Sequence, residues 1–110
     1  MAYERGDVVL VPFPFAEVEA TKTRPALVVS DPAYEAETGN LIIAQITSQE
    51  PRFRSDYALT SWREAGLVKP SIVRMKLATL ASSLVRYRLG RISPADLAEV
   101  DKRLREVLRL

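Results

Sequence analysis

The sequence predicts a small, mostly β barrel with one helix packed across it, and three observations support this prediction. Short apolar runs rich in β-branched residues recur over residues 8–92, separated by proline, glycine and aspartate turn signals. These runs are too continuously apolar for a sheet with one wet face, which predicts a closed or doubly covered sheet. The last 17 residues, 94–110, switch to helical periodicity.

Six strands are predicted in order, at residues 8–11, 24–30, 41–47, 56–59, 71–80 and 84–92. Residues 12–23 are predicted to form a long loop, because two prolines there precede a polar, charged stretch. Asp31-Pro32 is a turn signal that stops the second strand, and Gly39-Asn40 is the turn before the third. The sixth strand alternates arginines with apolar residues, which predicts one charged face.

Two helical segments are predicted. Ser61 followed by Glu64 matches a capping box, so a one-turn helix ending near Gly66 is expected there. The terminal helix begins with Ser93 as N-cap and Pro94 at its first position. Its apolar face comprises Leu97, Val100, Leu104, Val107 and Leu108. Glu99–Arg103 and Asp101–Arg105 are predicted i,i+4 ion pairs on the same helix. Asp96 in the first turn complements the helix dipole.

Length and composition limit the possible functions. The 110 residues are expected to form a single domain, 1–110. The chain has neither cysteine nor histidine, which excludes disulfides, thiolate chemistry, histidine-based zinc sites and serine–histidine triads. The absence of cysteine favours a reducing cytoplasm. No apolar run approaches the roughly 18 residues of a membrane span, and the charged amino terminus predicts no secretory signal.

Charge is distributed unevenly along the chain. Residues 1–60 carry five basic and nine acidic side chains, residues 61–93 carry seven basic and one acidic, and residues 94–110 carry four of each. A basic middle segment favours a phosphate-bearing or acidic partner. A solvated strand face is an equally acceptable explanation at this point.

An ordered set of motifs extends over nearly the whole chain: Arg5-Gly6-Asp7-Val8-Val9, Pro12-Phe13-Pro14, KTRPALVVS from Lys22 to Ser30, Ile46-Thr47-Ser48-Gln49, Pro70-Ser71-Ile72-Val73-Arg74 and Ile92-Ser93-Pro94. As a set these motifs resemble the PemK/MazF family of toxins. The resemblance implies a small SH3-like barrel, usually homodimeric, from the toxin half of a bacterial toxin–antitoxin pair. It also implies cleavage of single-stranded RNA, often messenger RNA, by 2′-hydroxyl attack without a metal or other cofactor. The implied protein partner is an antitoxin with a disordered, often acidic tail.

The resemblance also indicates site residues. Arg24 and Arg74 match two family arginines and are predicted to hold the scissile phosphate together, because a guanidinium pairs bidentately with phosphate oxygens. Thr47 matches a strand-end hydroxyl that positions the phosphate or the 2′-hydroxyl. Glu19 matches a loop glutamate and is the predicted base.

Further residues are predicted to contact RNA, namely Lys22, Ser48, Gln49, Lys76 and Phe15. Lys76 stands where several family members carry an acidic residue, two positions after the second arginine. A lysine with an ordinary pKa of about 10.4 is a poor base near neutrality, although it can bind phosphate. The sequence therefore predicts charge stabilisation more directly than a complete acid–base pair.

Structural explanations for the same residues stay open. Arg24 is also compatible with a solvated strand end, Thr47 with an ordinary β residue and Glu19 with a solvated loop. The aromatic residues Phe13, Phe15 and Trp62 could stack on RNA bases. In a small barrel, however, core packing or a dimer contact is the more common role for such residues.

Two other classes of function compete with the ribonuclease. A toxin-like barrel without catalysis would bind an antitoxin, RNA, DNA or a gyrase-type target. A purely structural barrel would use its arginines only in surface ion pairs.

Overall fold

The computed structural model describes residues 2–12 and 22–110. Its elements in chain order are strand β1 (Asp7–Pro12), strand β2 (Thr23–Val28), helix α1 (Pro32–Thr38), strand β3 (Asn40–Thr47), strand β4 (Tyr57–Ala58), strand β5 (Ile72–Ala81), a 3-10 turn (Ser82–Leu84), strand β6 (Tyr87–Arg91) and helix α2 (Pro94–Leu108).

The six strands form one antiparallel sheet in the order β4-β5-β3-β2-β1-β6, which curls into a half-barrel. The long β3–β5 ladder is interrupted by a bulge between Ala44 and Gln45, and the β1–β6 ladder by one between Val8 and Val9. Bulges increase the local twist and bend a sheet. The predicted mostly β architecture with a C-terminal helix is confirmed.

Both faces of the sheet are buried, as the continuous apolar runs predicted. One cluster includes Val8, Leu27 and Ile46 and contains Val100 and Leu104 of α2. The second cluster lies on the alternate residues of the same strands, Val9, Val11, Ala26, Val28, Leu41, Ile43 and Leu80, and includes Tyr3, which precedes β1. Because successive strand side chains point to opposite faces, a strand buried on both sides must be apolar throughout.

Two glycines allow the two ends of the curled sheet to approach each other. The turn at residues 62–66 follows β4 at one edge and contacts β6 at the other. A β-carbon on Gly66, whose φ is +89°, would collide with the backbone carbonyl of Leu89. A β-carbon on Gly90 would lie 2.5 Å from the carbonyl oxygen of Ala65. Only hydrogen at these two positions permits so close a backbone approach.

The terminal helix begins as predicted, with the Ser93 hydroxyl accepting the amide of Asp96 at 3.1 Å. Asp96 does more than complement the dipole, because its buried carboxylate accepts from the Tyr57 hydroxyl at 2.6 Å and from Thr60 and Ser61. The predicted Glu99–Arg103 pair forms at 2.7 Å. The predicted Asp101–Arg105 pair is wrong, since Asp101 is paired with Arg5 at 2.5 Å.

Two local predictions are corrected by the structure. Asp31-Pro32 begins helix α1 instead of a turn: the Asp31 carboxylate caps the Ala33 amide at 2.8 Å, and Gly39 ends the helix at φ +73°. Conversely, residues 62–66 form only a hydrogen-bonded turn. The expected reciprocal capping box does not organise this segment, because the Ser61 amide donates to the Asp96 carboxylate at 3.1 Å.

The sixth strand is shorter than predicted. A 3-10 turn occupies Ser82–Leu84, and β6 begins at Tyr87. The bulge opposite Val8 and Val9 breaks the expected alternation, and Tyr87 is 60% exposed although its predicted place was on the apolar face. Trp62, in contrast, packs against the first core cluster, as the structural explanation for this aromatic predicted.

Candidate functional site

A cavity of about 500 Å³ opens where the start of β2 meets the end of β3. Antiparallel pairing of Ala26 with Gln45 brings these two strand ends together. We call it the Arg24 cavity; its lining residues are Arg24, Pro25, Gln45, Ile46, Thr47, Ser48, Gln49, Leu67, Val68, Lys69 and Ser71. The last five positions of that set fall in the turn after β3 or in the segment before β5, so distant parts of the chain build one concave surface.

The Arg24 cavity is positively charged. Arg24 and Lys69 both line it, and both are exposed. Within residues 2–12 and 22–110, no carboxylate forms an ion pair with either cation, and no described carboxylate lines the cavity. Two cations in one concavity without a neutralising acid focus a positive potential that attracts an anion.

Hydroxyl groups accompany these cations. The Thr47 Oγ1 accepts the Gln49 amide at 3.3 Å, which starts the turn after β3. That bond uses an acceptor lone pair, so it does not consume the O–H, which can still donate. The Ser71 hydroxyl donates to the Lys69 carbonyl at 2.9 Å and holds the segment that carries the lysine. The cavity therefore combines two cations with the Thr47 hydroxyl as a donor, a set that suits phosphate oxygens.

A second cavity, also of about 500 Å³, lies beside the first. We call it the Arg74 cavity; its lining residues are Gln45, Gln49, Arg52, Phe53, Ser55, Arg74, Met75 and Lys76. Gln45 and Gln49 line both cavities and form their shared wall. Register explains the adjacency, since Gln45 of β3 pairs with Ala26 on one side and with Arg74 on the other.

Arg74 is held firmly inside this second cavity. Its Nε and Nη2 donate to the two oxygens of Asp56 at 3.1 and 2.9 Å, and its Nη1 donates to Gln49 Oε1 at 3.1 Å. The side chains are 11% exposed for Arg74 and 0% for Asp56. The hydrogen bonds from Arg74 lower the pKa of Asp56 to about 2, so the carboxylate stays ionised at neutral pH. The same contact raises the pKa of Arg74.

The structure brings some predicted site residues together and separates others. Arg24, Thr47, Ser48 and Gln49 line one cavity. Arg74 and Lys76 line the neighbouring one, so the two arginines predicted to share one phosphate do not share one cavity. Lys22, predicted to contact RNA, is exposed just before β2 and is absent from the described lining of both cavities. The predicted site residues Glu19 and Phe15 lie outside the described residues, as does Phe13.

Sequence reasoning missed Lys69 and Asp56. Lys69 was counted only as one charge of the basic segment, although it directly precedes the Pro70–Arg74 motif; that position was the available signal. Asp56 had no signal, because its partner Arg74 is 18 positions away and only the β4–β5 pairing brings them together. Phe53 was also overlooked, and it is 52% exposed with Arg74 over its ring at 5.1 Å.

Two searches of the described residues set limits on other kinds of site. No group of three or more acidic, histidine or cysteine side chains is placed there to hold a metal ion. None of the described helices has both the length and the apolarity that a membrane crossing requires.

The sequence of the chain places it in a class of toxins. The family model for the PemK-like, MazF-like toxins of type II toxin–antitoxin systems matches residues 4–108, and the chain belongs to that family. The family assignment expected from the ordered motifs is thereby confirmed. A search of curated protein sequences finds no match to this chain.

Solved structures share the fold over almost their full length. The chain is similar to a mycobacterial endoribonuclease in complex with its cognate antitoxin, at a TM-score of 0.80 and 20% identity, covering 99% of this chain and 97% of that one. It is similar to MazF from Deinococcus radiodurans, at 0.79 and 26% identity, covering 100% and 99%. A MazE–MazF complex from the same organism matches at 0.76 and 24% identity, covering 98% and 96%.

Proposed function

We propose that this toxin is a metal-independent endoribonuclease that cuts single-stranded RNA by attack of a 2′-hydroxyl on the adjacent phosphate. The observation that carries this proposal is the Arg24 cavity, in which Arg24 and Lys69 face one concave surface without a described carboxylate partner. The mycobacterial relative that is an endoribonuclease and the family membership support the same reaction.

The proposed reaction moves charge in a way that the cavity suits. The 2′-oxygen bonds to phosphorus, the bond from phosphorus to the 5′-oxygen breaks, and the products are a 2′,3′-cyclic phosphate and a 5′-hydroxyl. Negative charge builds on the phosphate oxygens in the transition state, where a preorganised cation stabilises it most. Arg24 would bind two of these oxygens through its planar fork. Lys69 and the Thr47 hydroxyl would donate to the phosphate or hold the 2′-hydroxyl.

Proton transfer needs an acceptor for the 2′-hydroxyl proton and a donor, here solvent water, that protonates the departing 5′-oxygen. The described part of the chain places no carboxylate in the Arg24 cavity. Glu19, outside the described residues, therefore stays the proposed acceptor of the 2′-hydroxyl proton on the basis of the family resemblance. Arg74 is a weak candidate for the scissile phosphate, since Asp56 neutralises its charge and it lines the neighbouring cavity.

The proposed partners follow from the family and its solved relatives. An antitoxin would bind this chain, as one does in the mycobacterial and Deinococcus complexes. An acidic antitoxin tail and an RNA strand would compete for the positive Arg24 cavity, because both present anions. A homodimer is proposed from the family resemblance, and sedimentation equilibrium would measure it.

The test is cleavage of mixed-sequence single-stranded RNA in the presence of EDTA. Wild-type protein should cut it and leave cyclic phosphate ends. Arg24→Ala should lower the rate by about 10²–10³-fold, the usual cost of removing one charge-stabilising donor. Arg105→Ala is the matched control, since Arg105 is exposed on α2, away from both cavities.

Intact RNA at micromolar wild-type protein, across many sequences, would contradict the nuclease. The same variants then test the second candidate function, a toxin-like binding module without catalysis. The observation that favours this candidate is that no described carboxylate lines the Arg24 cavity. In that case Arg24→Ala would weaken antitoxin binding while no RNA is cut by any form of the protein.

A further inference from the structure

We propose that the Arg74 cavity is a nucleobase subsite which selects a keto base, uracil or guanine, next to the phosphate held by Arg24. The inference rests on the proposed RNA-binding function and assigns to Phe53, Gln49 and Arg74 a role in sequence selection.

The position of the cavity suits the nucleotide next to the scissile phosphate. The Arg24 and Arg74 cavities share the wall made by Gln45 and Gln49. Arg24 lies on β2 and Arg74 on β5, two strands away in the sheet, which corresponds to about 10 Å at the usual interstrand spacing. A strand of RNA that leaves its phosphate in the first cavity therefore meets the second cavity at once.

The charge state of Arg74 argues against a second phosphate there. A guanidinium has five N–H donors, and three of them already donate to Asp56 and Gln49. The buried Asp56 carboxylate compensates the positive charge. An arginine that is paired and fixed in this way is a rigid, planar group with two remaining N–H donors and little net charge. Such a group suits the edge of a neutral base better than a phosphate.

Phe53 supplies the stacking surface. Its ring is packed against the guanidinium of Arg74 at 5.1 Å and has Arg52 at 5.7 Å, yet the residue is 52% exposed. The amide of Phe53 donates to Asp56 at 3.0 Å, so the aromatic is fixed to the same carboxylate that fixes Arg74. Exposed aromatics held rigidly beside cationic side chains are the usual platforms on which single-stranded bases stack.

The hydrogen bonds select the type of base. Gln49 Oε1 already accepts from Arg74, so the amide of Gln49 offers its NH₂ donors to a ligand. The described lining adds the donors of Arg74 and Arg52 and includes no carboxylate. A donor-rich surface favours uracil and guanine, which present a carbonyl oxygen (O4 or O6) where cytosine and adenine present an amino group.

The test uses short RNAs that carry 2′-O-methyl groups throughout and so bind without being cut. Each position is varied among the four bases, and affinity is measured by fluorescence anisotropy. Wild-type protein should prefer uracil or guanine at one position by about tenfold. Phe53→Ala should weaken binding by about 5- to 100-fold, the usual range for losing one stacked base, and should abolish the preference.

Two variants complete the test. Tyr87→Ala removes another exposed aromatic, at the opposite edge of the sheet, and should leave affinity and preference unchanged. Gln49→Glu replaces amide donors with acceptors, so the preference should move towards cytosine or adenine. Thermal unfolding of each variant shows that it is folded before affinities are compared.

The outcomes separate this inference from the nuclease proposal. RNA cleavage with equal affinity for all four bases at every position overturns the subsite and leaves the nuclease intact. Keto-base selection that depends on Phe53, in a protein that never cuts RNA, supports the subsite and overturns the nuclease. An effect of Phe53→Ala on binding of an acidic peptide but not of RNA overturns the subsite and makes this surface a protein-docking site.

Discussion

At the scale of single residues, the two arginines that were predicted to hold one phosphate have opposite environments. Arg24 follows a threonine at the start of β2 and has no described carboxylate partner, whereas Arg74, near the start of β5, is fixed by a buried aspartate. Both matched a family arginine in the sequence. A free guanidinium can accept a phosphate at once, while a paired one would first have to lose its carboxylate partner. This difference divides the site into a phosphate part and a neighbouring part.

Asp56 should therefore be important for stability, and in a pH-dependent way. We expect Asp56→Asn to lower the free energy of unfolding at pH 7 by about 3 kcal/mol, because it breaks a buried pair and leaves Arg74 uncompensated. The folded pKa of Asp56 is lowered to about 2, so its stabilisation is full above the unfolded pKa of about 3.9. It is lost as the pH falls from about 4 to about 2.

Urea unfolding of wild type and variant at several pH values measures this effect. The difference between the two proteins should shrink through that acidic window. Glu64→Gln, at an exposed position, is the control and should change stability by less than about 0.5 kcal/mol. A difference between Asp56→Asn and wild type that is the same at pH 7 and pH 2 would contradict the assignment of Asp56 as the titrating group.

At the scale of elements, helix α2 is joined to the far edge of the sheet through one carboxylate. Asp96 in its first turn accepts from Tyr57 in β4 and from Thr60 and Ser61 after it. Burial would raise the pKa of Asp96, but these hydrogen bonds outweigh burial and lower it. Burial of the Tyr57 phenol, together with its hydrogen bond to the Asp96 carboxylate, raises the pKa of Tyr57 to about 12. The short β4 thus depends on α2 for its position.

Asp96→Asn should consequently destabilise the protein by about 2–4 kcal/mol, since an amide NH₂ would face donors that need an acceptor. Hydrogen exchange should show the amides of Thr60 and Ser61 losing protection first. Asp101→Asn on the same helix, in a partly exposed pair with Arg5, should cost at most about 1 kcal/mol. Equal costs for the two variants would show that the Asp96 contacts are unimportant.

The contact between the 62–66 turn and β6 gives a second prediction at this scale. Gly90→Ala would place a β-carbon 2.5 Å from the Ala65 carbonyl oxygen, and overpacking of this kind costs about 1–3 kcal/mol. Gly39→Ala is informative beside it, because Gly39 has open space around it and a φ of +73°. That substitution should cost about 1 kcal/mol from backbone strain alone. Chemical denaturation compares them, and a neutral Gly90→Ala would exclude the close approach.

At the scale of the whole molecule, the uneven charge along the chain is partly neutralised on folding. Of the seven basic residues in 61–93, three pair with acids of the first half: Arg88 and Arg91 with Asp7, and Arg74 with Asp56. Both explanations weighed for the basic segment therefore apply to different members of it. Lys69 is the basic residue of this segment that lines the Arg24 cavity, where a phosphate is proposed to bind.

Salt dependence of RNA binding should distinguish these members. Each phosphate contact to single-stranded nucleic acid contributes about 0.7 to the slope of log affinity against log salt. Lys69→Gln should therefore weaken binding and reduce the slope by about 0.7, whereas Phe53→Ala should weaken binding without changing the slope. Anisotropy titrations from 50 to 300 mM salt, roughly the range over which such effects are large, measure both. An unchanged slope in Lys69→Gln would remove Lys69 from the phosphate site.

The sequence by itself determined the architecture. Continuous apolar runs require a sheet covered on both faces, and the Ser93-Pro94 start with its apolar periodicity requires the terminal helix, because both are local patterns with few alternatives. The family resemblance of the Arg24 and Ile46–Gln49 motifs predicted that Arg24 and Thr47 act on one phosphate, and in the structure both residues line one cavity. Local patterns failed where two structures share one signal, as at Asp31-Pro32, which begins either a turn or a helix.

Only the tertiary structure decided how the charges are used. The pairing of Arg74 with Asp56, of Arg5 with Asp101 and of Asp7 with two arginines depends on strand register and on the position of α2, and neither is encoded in the spacing of charged residues. Electrostatic partners are chosen by distance in space, across up to 96 positions of sequence for Arg5 and Asp101. For that reason the site's chemistry, with Arg74 paired to a carboxylate and Arg24 without a carboxylate partner among the described residues, became visible only in the folded molecule.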